Sequence, residues 1–434
     1  MEDLISKLQK KEAKIGIIGL GYVGLPLVSE FLSKGFDVIG IDKDQSKIDS
    51  LNNQQSYIAH IEDKFISKYL SKSFQASTDI SMIEKLDVIV MCLPTPLKEN
   101  FEPEMKYVFD TVDELIPFLQ RGQALSLEST TYPGTTSEDI FNKLKKTKYK
   151  IGEDFFLIYS PEREDPGNKT FKNHQIPKIV SGHTRNCLEV GKKLYDSIVD
   201  KVVPVSSTRT AELTKLLENI HRAVNIGLVN EMKIVAEALE VDIYEVIDAA
   251  ATKPFGFTPY YPGPGIGGHC IPIDPFYLTW KAKQLGVHTK FIELAGEINN
   301  KMPTKVVEKG ISILKEKSLD IKNAKILLLG LAYKKDVDDM RESPSIKIMN
   351  LFEKHGADVS YSDPFIKTFP KTRDYNYDKK SIEITPKKLK AFDLVVIATD
   401  HSSFDYQMIR KESLCILDTR GIYRKNSNRK IFKA

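Results

Sequence analysis

From Lys14 onward, short continuous apolar runs alternate with stretches of helical periodicity. The runs cover 15–18, 37–41, 88–93, 124–128 and 156–159, and each is four to six residues long. A run of that length without polar alternation is a strand buried on both faces, and parallel strands need helical crossovers to return the chain. After a charged stretch at 315–325 the alternation begins again, with runs at 325–331, 358–362, 394–399 and 414–418. Between the two sets the period changes. Leu213, Leu216, Leu217, Ile220, Val224, Leu228, Met232, Val235 and Leu239 step by threes and fours, and no proline intervenes until Pro254. That spacing predicts one long helix or two nearly collinear ones, with Gly227 marking close packing or a bend.

The predicted fold class is therefore α/β, with two Rossmann-like doubly wound parallel sheets joined by a long central helix. The divisions fall at 1–207, 208–314 and 315–434. Further helices are expected at 276–285 and 291–302.

A chain of 434 residues with 28% charged and 41% hydrophobic residues is an ordinary globular composition. Its net charge of +4 is too small to argue for nucleic acid or an anionic membrane as partner. Cys92, Cys187, Cys270 and Cys415 lie far apart without metal or disulfide spacing, which suits a reducing, cytoplasmic setting and implies no metal. The first residues carry acids and lack an apolar core, unlike a signal peptide. The longest apolar stretches, 15–28 and 326–332, are too short or too rich in glycine to span a bilayer.

Gly19-Leu-Gly21-Tyr22-Val23-Gly24 follows the first predicted strand and opens a predicted helix at 25–34. Glycines at these positions permit a tight turn, approach of a pyrophosphate to backbone N–H groups, and close helix–strand packing. Asp42 ends the second strand, where a carboxylate accepts hydrogen bonds from the adenosine ribose and disfavours a 2′-phosphate. The motif in this register predicts NAD. The second alternation opens with Gly330-Leu-Ala-Tyr333-Lys334, which lacks the later glycines and predicts a ligand other than a whole dinucleotide.

Gly263-Pro-Gly-Ile-Gly267-Gly-His-Cys270 sets a thiol after four glycines, and Asp274-Pro275 follows. A lone cysteine is usually a small buried hydrophobe, but these neighbours are not apolar and periodic, so Cys270 reads as a nucleophile. Asp274 and Pro275 read as N-cap and first residue of a helix whose dipole lowers the thiol pKa. On the long helix Glu212, Lys215, Asn219 and Arg222 form a polar stripe, either solvated or facing the cysteine. Three loops at strand ends carry unusual chemistry: Glu128-Ser-Thr-Thr131, Ser160-Pro-Glu162-Arg163-Glu164-Asp165, and Lys334 to Arg341. Ligands of open α/β sheets bind at such ends.

In combination, the 19–24 turn, Ser160-Pro-Glu162, Lys215 with Asn219, Gly267 to Cys270 with Asp274, and Lys334 to Arg341 resemble the UDP-glucose/GDP-mannose dehydrogenase family, in order from about Lys14 to Arg424. Within it, 160–167 and 252–261 are most similar to bacterial UDP-N-acetylglucosamine 6-dehydrogenases. Arg163 and Tyr260-Tyr261-Pro-Gly depart from the UDP-glucose branch.

The resemblance implies a four-electron oxidation of a C6 alcohol to a carboxylate, with Cys270 holding a thiohemiacetal and then a thioester. Lys215, Asn219 and Asp274 would serve proton transfer and the oxyanion, and Glu162 and Thr131 the hydrolytic water. Gly19, Gly21, Tyr22, Val23, Gly24, Asp42, Lys47, Thr95, Thr131 and Arg341 would surround NAD. Glu162, Arg163, Lys215, Asn219, Tyr260, Tyr261, Gly267, Lys334 and Arg420 would hold the UDP-sugar, with Arg163 reading the N-acetyl group or shaping the loop around it. The resemblance also implies a homodimer through the long helix. A single-step hydroxyacid dehydrogenase would release one NADH per substrate instead of two, and a non-catalytic NAD or nucleotide-sugar binder would tolerate loss of the thiol. UDP-N-acetylgalactosamine and UDP-glucose are the alternative substrates.

Overall fold

Strands form where the apolar runs are uninterrupted. The computed structural model describes residues 1–58, 61–70, 72–163, 172–268, 271–369, 377–424 and 428–433. The first sheet contains β1 (Lys14–Ile18), β2 (Asp37–Ile41), β3 (Phe74–Ser77), β4 (Val88–Met91), β5 (Ala124–Leu127), β6 (Phe156–Tyr159), β7 (Lys178–Gly182) and β8 (Val202–Pro204). Their order is β3-β2-β1-β4-β5-β6-β7-β8. The first six follow the dinucleotide-binding order, whose reversal between β1 and β4 opens a crevice at the strands' carboxyl ends. Every residue of β4, β5 and β6 is buried, as expected of strands covered on both faces.

One pairing departs from the expected parallel sheet. β7 runs antiparallel to β6. No α-helix lies among the described residues between them, and an antiparallel neighbour, unlike a parallel one, needs no helical crossover. Lys178, the first residue of β7, is thereby set beside the carboxyl end of β6. The runs of β3, β7 and β8 are too short or too polar to stand out in the sequence.

The second sheet orders β9 (Lys325–Leu329), β10 (Asp358–Ser362), β11 (Leu394–Ile397), β12 (Ile416–Asp418) and β13 (Ile431–Lys433) as β10-β9-β11-β12-β13, all parallel. Its own switch point lies between β9 and β11.

The chain divides into two compact units, Met1–Glu218 with Phe276–Val287, and Asn219–Pro275 with His288–Ala434. A single helix, Thr208–Ala238, 31 residues long, passes from one unit into the other. Gly227 marks close packing: a Cβ there would lie 3.1 Å from the Cβ of Ala295. Ala295 belongs to the helix Lys290–Glu316, which runs through Pro303 and well past the expected end at 302. An interior proline costs about 3 kcal/mol. Beyond it Val306, Val307, Ile313 and Leu314 enter the core of the second sheet, and each such burial stabilises by about 1.5–3 kcal/mol, so the helix continues. Among the described residues no helix is long and apolar enough to cross a membrane.

Candidate active site

In the first unit, the turn after β1 is built around two glycines that cannot be anything else. Gly19 has φ of +90°, and a Cβ on it would meet the Cys92 carbonyl at 2.3 Å. A Cβ on Gly24 would stand 1.8 Å from the Gly19 carbonyl. Gly21 differs, because a Cβ there meets nothing within 4 Å. Tyr22 and Val23 carry the chain from this open position into the helix Gly24–Ser33. Closely packed outer glycines around an open central one fit a dinucleotide pyrophosphate at the helix N-terminus.

Asp42 locks the turn. Its Oδ2 accepts the Leu20 N–H at 2.8 Å and Lys47 Nζ at 2.9 Å, and its Oδ1 accepts Asp44 N–H at 3.0 Å. Lys47 thus sits with Asp42. Thr95, beyond β4, is buried, and the carbonyl of adjacent Pro96 accepts the Tyr277 hydroxyl at 3.1 Å. Ser129 clamps the neighbouring strand ends by accepting Leu93 N–H at 2.9 Å and donating to its carbonyl at 2.8 Å.

Beyond β5 and β6 the polar residues become denser. Thr131 is fully buried, and its Oγ1 has no hydrogen-bond partner among the described residues. Glu128, also fully buried, accepts Lys178 Nζ at 2.5 Å, while Glu162 lies 3.5 Å from the same ammonium. Burial pushes the Glu128 carboxyl up to about 7 despite its lysine partner. Burial opposes the Lys178 charge, yet Glu128 and Glu162 hold its pKa above the ordinary lysine value.

Arg163 reaches the long helix. Its Nε and Nη2 donate to both carboxylate oxygens of Glu218, at 3.2 and 2.7 Å, and Nη1 donates to the Pro177 carbonyl at 2.5 Å. The guanidinium thereby ties the residue after Glu162 to the long helix and to the residue before β7. Lys215 is buried one turn earlier on that helix. Glu212, expected as part of a polar stripe, is instead fully buried. Its carboxylate accepts the N–H groups of Gly134 and Thr136 at 2.7 and 2.9 Å, and burial pushes its pKa up to about 7.

In the second unit, Asn219 Nδ2 donates to Asp274 Oδ2 at 2.5 Å, both side chains being buried. Asp274 is the first residue of the helix Asp274–Gln284, not the residue before it. Cys270 and His269 lie outside the described residues, as do Glu164 and Asp165. The loop leading to Cys270 is tightly defined. A Cβ on Gly267 would meet the Tyr333 Cβ at 2.6 Å, and one on Gly268 would meet its ring at 2.9 Å. Gly268 N–H also donates to the Arg341 carbonyl at 2.9 Å. The Arg341 guanidinium holds Asp339 through Nε and Nη2, the shortest contact being 2.7 Å. Arg341 is thus seen as a support of the glycine loop, a place the expected cofactor role did not anticipate.

Sequence reading missed what anchors the start of that loop. Asn230 Oδ1 accepts Gly263 N–H at 3.0 Å, its Nδ2 donates to Asn299 Oδ1 at 2.9 Å, and Asn299 donates to the Ala223 carbonyl at 2.9 Å. Arg420 comes to the same place, since a Cβ on Gly263 would lie 3.0 Å from its Nη1, and its Nε donates to the Ala398 carbonyl at 2.7 Å. Lys334 follows Tyr333, half-buried. Tyr260 meets His221 Nδ1 at 3.1 Å, whereas the Tyr261 hydroxyl turns to Asp248 at 2.7 Å, on the helix Ile243–Ala250. At the head of the second sheet Asp363 accepts the N–H groups of Leu331 and Ala332 at 2.7 and 3.0 Å. His401 Nδ1 accepts Asp336 N–H, so its Nε2 carries the proton toward Asp363 at 3.1 Å. Against its burial, these donors bring Asp363 down to about 2.

Residues 13–199 match the NAD binding domain of the UDP-glucose/GDP-mannose dehydrogenase family, residues 209–301 its central domain, and residues 327–425 its UDP binding domain. The chain is 32% identical over 399 residues to UDP-N-acetyl-D-glucosamine 6-dehydrogenase of Pseudomonas aeruginosa, covering 91% of this chain and 92% of that one. It is 33% identical over 420 residues to UDP-N-acetyl-D-mannosamine dehydrogenase of Methanocaldococcus jannaschii, covering 94% and 92%. Among solved structures it is similar to UDP-D-ManNAc dehydrogenase from Pyrococcus horikoshii, with a TM-score of 0.85, 30% identity, and 97% and 98% of the two chains covered.

Proposed function

The chain belongs to the UDP-glucose/GDP-mannose dehydrogenase family, and on that premise we propose that it oxidises the C6 hydroxyl of a UDP-N-acetylhexosamine, UDP-N-acetylglucosamine foremost, to the uronate through a thioester on Cys270. The observation that carries the chemistry is the buried Asn219–Asp274 hydrogen bond, on the same unit as the glycine loop that leads to the thiol.

NAD held at the 19–24 turn supplies the hydride acceptor, twice per product. The protein's own groups manage protons and oxyanions. Asp274, fixed by Asn219, takes the C6 hydroxyl proton through a relay with Lys215 and a water. The aldehyde cannot give up a second hydride until a nucleophile adds, so the Cys270 thiolate attacks its carbonyl carbon and forms a thiohemiacetal. Loss of the second hydride leaves the thioester. Lys215 and Asn219 donate to the oxyanion at each tetrahedral stage. Glu162 and Thr131 direct the water that releases the acid, and the Thr131 hydroxyl, which has no hydrogen-bond partner among the described residues, supports that role.

The N-acetyl preference is supported by the 160–163 and 252–261 stretches and by the substrate named for the Pseudomonas relative. UDP-N-acetylmannosamine is the second reading, favoured by the archaeal relative and the Pyrococcus structure. We also propose a homodimer. Leu228, Met232 and Val235 recur at helical spacing on the long helix, with Leu239 just past its end, and are 54%, 42%, 45% and 67% exposed, a stripe that a partner would cover.

The test is a panel of UDP-sugars with NAD⁺, counting NADH. Two NADH per UDP-N-acetylglucosamine support the proposal, one removes the cysteine chemistry, and preference for UDP-glucose overturns the substrate. Cys270→Ser should bind the UDP-sugar yet form no acid.

A further inference from the structure

We infer that Lys178 is a positioning residue of the hydrolytic half-reaction, holding the Glu162 carboxylate ionised and in place while Glu128 anchors the lysine from below; this rests on the reading that Glu162 serves thioester hydrolysis. The geometry comes from strand direction. Glu128 follows β5, Glu162 lies three residues beyond β6, and Lys178 opens the antiparallel β7, so three chain segments meet at the carboxyl ends of β5 and β6. Side-chain exposure grades outward from 0% at Glu128 through 9% at Lys178 to 18% at Glu162. The ammonium touches the inner acid at 2.5 Å and the outer at 3.5 Å, and it also sits 5.2 Å from the Tyr195 ring centroid.

A surface lysine would be solvated and interchangeable. This one is enclosed, and one cation faces two carboxylates. If both acids were ionised, the cluster would carry a net negative charge in a medium that solvates it poorly. Burial resolves the imbalance at the inner acid, whose carboxyl is pushed up to about 7, while the outer acid keeps its contact with the ammonium at 3.5 Å. One Glu128 oxygen is buried without a hydrogen-bond partner among the described residues, so the charged form of this acid is poorly compensated there. The other titratable groups at the cluster are Tyr195, whose hydroxyl pairs with Ser126 at 2.8 Å, and Cys92; Glu30 faces Glu162 from the helix Gly24–Ser33.

In the hydrolytic step, a water oxygen bonds to the thioester carbon and one water proton passes to Glu162. The C–S bond then breaks, its electron pair leaving on sulfur, so the acid and the cysteine thiolate are restored without any change of oxidation state. A Glu162 without its cation would be a displaced base with a raised pKa.

The test uses the full-length enzyme with UDP-N-acetylglucosamine and NAD⁺. Lys178→Met alone strands a buried acid and invites misfolding, so Lys178→Met/Glu128→Leu removes both charges together. The double variant should give a burst of two NADH per subunit, then a steady rate reduced about 10- to 100-fold, with the acyl-enzyme visible by intact mass. The ascending limb of its kcat–pH profile should move to higher pH, and Lys178→Arg should recover part of the rate. A folded double variant with parental steady rate, no accumulated acyl-enzyme and an unmoved pH profile overturns the inference. If the parent enzyme itself releases one NADH and Cys270→Ser turns over normally, the underlying thioester reading fails instead.

Discussion

Gly21 and Gly24 should fail in opposite ways when each is replaced by alanine. The Gly24→Ala methyl would lie 1.8 Å from the Gly19 carbonyl oxygen, a backbone atom that cannot swing aside. That is roughly 1.5 Å short of an ordinary contact, so the helix must lift from β1. Overpacking of this kind costs about 1–3 kcal/mol or more, which in a domain of this size lowers Tm by about 2–12 °C. Gly21 has open space and a backbone that alanine adopts without strain. Its methyl should leave Tm within about 1 °C of the parent, because nothing in the protein is displaced. The methyl enters the space reserved for the pyrophosphate, however, and the same 1–3 kcal/mol is then lost from binding, raising the Kd for NAD by about 5- to 150-fold. Calorimetric titration with NAD⁺ and a thermal melt of each variant separate the two effects. Unchanged NAD affinity in a stable Gly21→Ala protein would refute the assignment of that position to the cofactor.

Asn230→Ala should leave Gly263 N–H and Asn299 Oδ1 buried without partners, a loss of about 2–4 kcal/mol, read as faster exchange of the Gly263 amide and a higher KM for the UDP-sugar. Glu212 keeps its proton in the folded protein up to about 7, whereas the unfolded chain releases it near 4.5, so stability attached to this carboxyl falls as pH rises through that window. The difference of 7 − 4.5 corresponds to about 3 kcal/mol, and melts of the parent against Glu212→Gln from pH 5 to 8 should show the parent losing ground as pH rises, parallel curves being the contrary result. Leu228→Glu with Met232→Glu should convert a dimer to monomer in sedimentation, without loss of the second unit's secondary structure.

The strands that announced themselves most plainly are those like β4 and β6, buried at every residue, because there the apolar run is unbroken. β2, β6 and β10 appear with the expected bounds, β1 begins one residue earlier, and the glycine turn and Asp42 follow the first and second strands. What stayed hidden was decided by partners distant in sequence. Lys178 precedes an apolar run, as countless solvated lysines do, and only the antiparallel entry of β7 encloses it. Asn230 lies on a helix amid apolar neighbours with no spacing to advertise it, and its partner Asn299 is 69 positions away. The helix expected to stop at 302 continues through Pro303, because tertiary burial beyond it overrides the local preference of proline.

The two sheets also explain why only one of them carries a dinucleotide fingerprint. Each begins with the same lock. Gly19, at φ +90°, donates to the Ile41 carbonyl while Leu20 donates to Asp42; Gly330, at φ +84°, donates to the Ser362 carbonyl while Leu331 donates to Asp363. In both, a carboxylate at the end of the second strand holds the first turn. The turns then diverge. Counting from the first glycine, Ala332 and Lys335 occupy the places of Gly21 and Gly24, and Tyr333 lies against Gly267 and Gly268. The first unit leaves its turn open for a phosphate, whereas the second fills its turn with an aromatic ring that braces the loop leading to Cys270. Substitution of Gly267 or Gly268 by any larger residue therefore collides with Tyr333, which gives those two glycines a structural reason to be glycine that is independent of any ligand.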